Sequence, residues 1–266
     1  MTVSRLVSVV AVAAVPILSI DPASAQDHTM RRLPAALAVM QFTGVGQLEG
    51  AAAGDRFQGR FAILSLDGAE ESIFGPDVSL FHAPCVEQHG SGIQCAHLVG
   101  VLSGSLLESF ITAIPGASSD PAAPEFLGHL AVRSAASERF RVYYHAKPNG
   151  SASFEDLDSL QTGELVAVYK VREYVTVDPI TQTFMSRGII EIVESAPFTL
   201  NGITTDMGRI APRLTFITHG RAPEPRTTPL LIPLDDPAFR DRGPGAFIAR
   251  YAVSGLGIAV PNGGGR

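Results

Sequence analysis

From Leu165 to Val177 hydrophobic residues recur at every second position. Leu165, Ala167, Tyr169, Val171, Val175 and Val177 share one side, with Glu173 as the one exception, while Glu164, Lys170, Arg172, Tyr174 and Thr176 fall mainly on the other. Successive side chains of an extended chain point to opposite faces of a sheet, so the pattern predicts a strand whose apolar set is buried. Asp178-Pro179-Ile180-Thr181 interrupts it, because proline has no amide hydrogen for a ladder and fixes its own φ. A second β-branched limb follows from Gln182 to Glu194. The whole stretch reads as a hairpin.

Similar, shorter patterns lie on both sides. Phe57, Gly59, Phe61 and Ile63 alternate with polar residues up to Asp67-Gly68, and Gly75-Pro76 opens a run from Asp77 to His82. Leu98 to Leu102 and Leu106 to Ile114 read as two buried runs parted by Ser103-Gly104-Ser105, and Phe126 to Val132 and Glu138 to Ala146 resume the pattern. Ser153 with Asp156 predicts the cap of a short helix, Phe154 to Leu160. Phe198 to Leu200, Arg213 to Thr218, Thr228 to Ile232 and Ala246 to Ser254 complete the set, with Asn201-Gly202 as a turn. About a dozen short strands separated by turn residues indicate an all-β chain, an antiparallel β-barrel or β-sandwich with at most one or two short helices. Ala35 to Phe42 is apolar but fits either helix or strand.

Composition changes this picture mainly at the N-terminus. Arg5, the apolar run Leu6 to Ile20 and the small residues Ala23-Ser24-Ala25 have the form of a secretory signal peptide over residues 1–25. Residues 26–34 then form a flexible polar segment, 35–260 a single β-rich domain, and 261–266 a flexible glycine-rich tail. An internal boundary, if there is one, falls at 115–125, where Pro115, Gly116, Pro121 and Pro124 exclude a helix interior or central strand. The expected setting is secreted or periplasmic, with no transmembrane segment after signal cleavage. An outer-membrane barrel would want aromatic girdles, whereas this chain has no tryptophan and five tyrosines. A net charge of −6 argues against nucleic acid as a partner, since phosphate binding needs a basic footprint.

Cys85 and Cys95 are the only cysteines, and in an oxidising compartment they are expected to pair. The metal alternative uses His82, His89 and His97, which with the two cysteines place five donors in sixteen residues. Pairing removes both thiolates, so no metal site and no cofactor is expected. Nucleophile-elbow, zincin, phosphate-loop and dinucleotide signatures are missing.

One constellation remains, and it is electrostatic. Arg139, Arg141, Tyr143 and His145 share one face of their strand, and Lys170, Arg172 and Tyr174 share the polar face of the central limb. If the strands are neighbours, they make a basic and aromatic patch on an acidic protein, suited to forked hydrogen bonds and stacking. The functional expectation is a non-catalytic exported binding or structural protein, with that patch lining a concave site for an anionic small molecule or acidic polysaccharide. The alternative is an exported lyase or isomerase of barrel type, or a metal-assisted hydrolase. Oligomeric state is not legible.

Overall fold

A computed structural model describes residues 39–49, 53–67, 73–74, 78–113, 128–134, 138–178, 183–221 and 248–259. The readings made for the signal peptide, the 26–34 segment, the 115–125 boundary, the Thr228 to Ile232 strand and the tail lie outside these residues. Two strands near the N-terminus, β1 (Val39–Glu49) and β2 (Arg56–Asp67), are followed by β3 (Leu98–Ala113), β4 (Gly128–Ser134) and β5 (Arg139–Tyr144). The chain continues through β6 (Glu164–Asp178), β7 (Thr183–Ser195), β8 (Pro197–Leu200), β9 (Ile203–Asp206), β10 (Arg213–Arg221) and β11 (Ile248–Ala259).

Antiparallel neighbours run β1, β2, β3, then β4 and β5 together, then β6, β7, β10, β11 and back to β1, closing an eight-stranded barrel. Closure removes the exposed sheet edges at which another chain could pair. β4 and β5 share one slot end to end: β5 pairs with residues 98–103 of β3 and 164–170 of β6, and β4 pairs with the later halves of the same two strands. β3 is therefore one continuous strand of 16 residues, where the sequence suggested two. Ser103-Gly104-Ser105 passes through as strand because it faces the junction of β4 and β5.

The lumen is filled by phenylalanine set against glycine. Phe216 stands opposite Gly188, Phe184 opposite Gly220 and Phe42 opposite Gly255. A Cβ on Gly188 would lie 2.8 Å from the Phe216 ring, and one on Gly220 2.3 Å from the Phe184 ring. Eight strands leave an interior just wide enough for side chains, and alternating large with absent side chains fills it. Phe198, Leu200, Met207, Ile210 and Ala211, from the β8–β9 hairpin and the short helix α3 after it (numbered with two others below), join the same core. They sit where β7 ends and β10 begins, and so plug that end of the barrel. The hairpin turns through Asn201 and Gly202, both at positive φ (50° and 78°), the pairing a tight two-residue turn demands.

A second, smaller core lies outside the wall. Ala62, Val99, Val101 and Tyr143 face outward from β2, β3 and β5 and are covered by Ile93, Ala96 and Leu160 of an arm built from two connections. The arm contains α1 (Ala83–His89), a 3-10 turn (Ile93–Cys95) and α2 (Leu157–Leu160), while α3 is Met207–Ile210. The cysteine segment is thus helical, with Pro84 in the first turn. The described part of the Asp77 to His82 run, residues 78–82, is not a strand: within it only Phe81 makes an isolated bridge, to Ala96. Asp156 itself caps α2 by accepting from the amides of Asp158 and Ser159, so that helix starts three residues later than expected. Cys85 and Cys95 stand at disulfide distance, their Cα atoms 5.4 Å apart.

The central hairpin forms, with one correction. A bulge between Val168 and Tyr169 shifts the β6–β7 register, and another between Val142 and Tyr143 shifts β5–β6. Ala167, Tyr169 and Val171 are buried as expected, but Leu165 lies before the bulge and is 43% exposed, while Val166 takes the inward place. A single extra residue exchanges the two faces of everything preceding it.

Candidate functional site

Arg139 lies directly opposite Lys170, and Arg141 opposite Val168, so the two strands carrying the predicted patch are adjacent. Their cations point outward, because the alternate residues Phe140, Val142, Tyr169 and Val171 belong to the lumen core. The set therefore lies on the outer wall and does not face the lumen. Arg141 donates to the Ser103 hydroxyl at 3.1 Å. Arg172 and Tyr174 are exposed, and Tyr174 stands opposite Arg187 of β7, which is also exposed. Arg187 extends the strip by one cation, and alternation along the second hairpin limb was the signal for it.

Tyr143 and His145 have a different surrounding. Tyr143 is buried under the arm and its hydroxyl donates to Gln161 Oε1 at 3.1 Å. Burial pushes its phenol up, against the nearby Arg141 guanidinium, which lowers it. His145 Nε2 donates to the Leu160 carbonyl at 3.1 Å, and burial holds its imidazole below the ordinary 6.5 in spite of that bond. These two residues anchor the arm, leaving Arg139, Arg141, Lys170, Arg172, Tyr174 and Arg187 as the open strip.

The three histidines considered for a metal are separately engaged. His82 Nδ1 donates to the Pro148 carbonyl at 3.1 Å and His97 Nδ1 to the His145 carbonyl at 2.8 Å. The His82 and His97 rings meet edge to face at 5.6 Å, while His89 lies beside Gly150. Among the described residues no group of three or more histidine, cysteine or carboxylate side chains is placed to hold a metal.

The wall's inner face carries what the sequence pointed to only as an irregularity. Glu173 is 3% and Glu138 0% exposed. Ser186 donates its hydroxyl to Glu173 Oε1. Glu138 immediately precedes β5, at the junction with β4, and packs against Gly104, where a Cβ would lie 2.7 Å from its side chain. The Val171 amide donates to the Glu138 carbonyl at 3.3 Å, tying the two strands at this level. Burial pushes the Glu173 carboxyl above its ordinary 4.5, outweighing the hydrogen bonds from Ser186 and Glu138, which lower it.

Beside Glu173 the lumen keeps a cavity of about 50 Å³, lined by Phe42, Phe61, Phe140, Phe184, Phe216 and Thr218 among others. That is room for a water or two, against roughly 300 to 1,000 Å³ for ordinary ligand pockets. No family model, curated protein or solved structure matches the chain. No helix among the described residues is long and apolar enough to cross a membrane. The outer face is cationic at β5 and β6, whereas Met185, Ile217, Leu256 and Ile258 of β7, β10 and β11 are exposed.

Proposed function

We propose that this is an exported, non-catalytic barrel protein that binds an anionic small molecule or acidic polysaccharide on the outer strip formed by Arg139, Arg141, Lys170, Arg172, Tyr174 and Arg187. The observation that carries the reading is the direct pairing of Arg139 with Lys170. Like charges directly opposite one another destabilise a sheet, and a chain of net charge −6 has no need of clustered cations for solubility. Guanidinium groups grasp carboxylate or sulfate oxygens in a fork, and Tyr174 beside Arg187 adds a stacking surface for a sugar ring. Two described acids of β7 border the strip: Glu194 stands opposite Val168, and Glu191 stands opposite Lys170 with its carboxylate 3.4 Å from Arg213.

Binding is favoured over the lyase, isomerase or hydrolase alternative because no cavity gathers several titratable groups among the described residues: the one beside the buried acids is about 50 Å³, too small for a substrate, and a wider cleft of about 550 Å³ has a single titratable side chain in its described lining, His219. Export is supported by the signal-like N-terminus and by the cysteine pair at disulfide distance. The test is binding of a labelled sulfated dextran oligosaccharide at low and high salt. Arg172→Ala with Arg187→Ala should remove the salt-sensitive component while the melting temperature stays near that of the parent; unchanged binding would refute the strip as the site.

A further inference from the structure

On the outer wall the pairing registers set residues of neighbouring strands in rows. One row runs through Tyr174, Arg187, Ile217 and Leu256 across β6, β7, β10 and β11. The row on one side of it carries Arg172 and Ile258, and the row on the other side carries Met185. Ile217 stands directly opposite Leu256, and both Met185 and Ile258 stand diagonally from Ile217, so the four make one apolar patch. Each is between 42% and 52% exposed. Arg172, Tyr174 and Arg187 at its edge are exposed as well. Single exposed apolar residues need no explanation, but a patch of them with a charged rim marks a contact surface. We propose that this wall docks on the surface of an anionic phospholipid membrane, with the four apolar side chains entering the acyl boundary, Arg172 and Arg187 pairing with lipid phosphates and Tyr174 lying at headgroup level. The inference goes beyond the soluble anion proposed above and shares with it only Arg172, Tyr174 and Arg187.

The charge around the patch selects this partner over a merely apolar one. Guanidinium groups hold phosphate oxygens in a fork, and long cationic side chains keep their heads in the polar layer while their stems lie on apolar surface. Phenols, apolar in body and polar at the tip, suit the same depth. Among the described residues of these three rows there is no carboxylate. Glu191, one row on, has its carboxylate 3.4 Å from Arg213, and Asp67 of β2 accepts from Gln41 Nε2 at 2.6 Å. This face is therefore locally positive on a chain of net charge −6, and an anionic surface would attract it and turn the rest of the molecule away. Contact is one-sided: the arm covers part of the outer wall of β2, β3 and β5, and Arg139 and Lys170 point outward between β5 and β6. An apolar face with a cationic border, lying on the bilayer, is the arrangement of an interfacial protein, whereas a spanning barrel needs an apolar band all round.

The experiment measures co-sedimentation of the purified protein with vesicles of phosphatidylcholine alone and with vesicles containing an equal share of phosphatidylglycerol, at low and high salt. The parent is expected to bind the anionic vesicles at least about tenfold more tightly than the neutral ones, and less tightly in high salt. Ile217→Ser with Leu256→Ser should weaken vesicle binding about tenfold while leaving the binding of sulfated dextran and the melting temperature unchanged, and Arg172→Ala with Arg187→Ala should weaken both kinds of binding. Failure of the parent to bind anionic vesicles would overturn the membrane surface and, if sulfated dextran still binds, leave the strip's role standing. Vesicle binding that survives the serine pair unchanged would show that the cations act alone and overturn the apolar contact. A marked fall in melting temperature in the serine pair would show that the protein itself covers this face, and dimers of the parent that the serine pair dissolves would assign it to a second copy; either result overturns the proposal.

Discussion

The inner and outer faces of the wall at β5 and β6 are built from alternate residues of the same two strands, yet they obey opposite rules. Inside, Phe140, Tyr169, Val171, Glu138 and Glu173 are packed dry, and every polar atom must be answered within the protein. Outside, one residue away, Arg139 and Lys170 are half-buried and Arg172 is exposed, and charge there costs less. The difference teaches that the same one-residue substitution has a different meaning on each face: on the inner face it changes the fold, and on the outer face it changes what the protein touches.

The sharpest way to break the comparison is to put a charge inside. Val171→Asp would bury an acid beside Glu173, where no cation is among the described residues lining the cavity, and unfolding measurements should show a loss of about 3 to 5 kcal/mol. A variant that melts within a degree or two of the parent would mean that Val171 faces outward. Next in size is the arm covering the outer wall of β2, β3 and β5. Replacing Cys85 and Cys95 with serine should lower stability by about 2 to 3 kcal/mol if the pair is bonded, read as a shift in denaturation midpoint without change in the lumen. Titration of two thiols in the unreduced protein would show that no bond exists.

The pH profile sharpens the comparison further. Glu173 is held above its ordinary 4.5 in the folded barrel, so the stability it contributes is complete below that value and is lost as pH rises through the folded value, while the unfolded chain ionises freely. His97 acts in the reverse sense. Burial lowers it below 6.5, aided by the nearby His82 and His145 and opposed by its bond to the His145 carbonyl, so its contribution is present above 6.5 and is lost as pH falls. Thermal melts should therefore show a decline as pH rises above 4.5 that Glu173→Gln flattens and a decline as pH falls below 6.5 that it leaves unchanged. A rising-pH decline of the same slope in Glu173→Gln would rule out Glu173 as its source. Smallest in stability is the outer strip, where Arg172→Ala and Arg187→Ala should each cost no more than about 0.5 kcal/mol while abolishing salt-sensitive binding.

Much of this wall was legible from alternation. The period of two along Lys170, Arg172 and Tyr174 and along Arg139, Arg141 and Tyr143 assigned both sets to one face, and neighbouring strands then brought them side by side. Leu165 went wrong because a bulge needs no distinctive residue: Leu165-Val166-Ala167 looks like ordinary strand until its pairing with Val142 and Tyr143 shows Val166 to be extra. Glu173 was visible only as a breach of the pattern. Its meaning came from Glu138, 35 positions away, and from Ser186 across the hairpin.

By itself, then, the sequence determined the secondary structure's type, the position of the central hairpin, the proximity of the two cysteines and the facing of most strand residues, because each follows from local periodicity or short separation. Tertiary structure alone decided that the sheet closes between β1 and β11, that β4 and β5 share one slot, and that Glu138 and Glu173 are both buried inside it. Those features depend on pairings between distant segments, more than 200 residues apart for Val39 and Ile258, and no local pattern encodes such contacts.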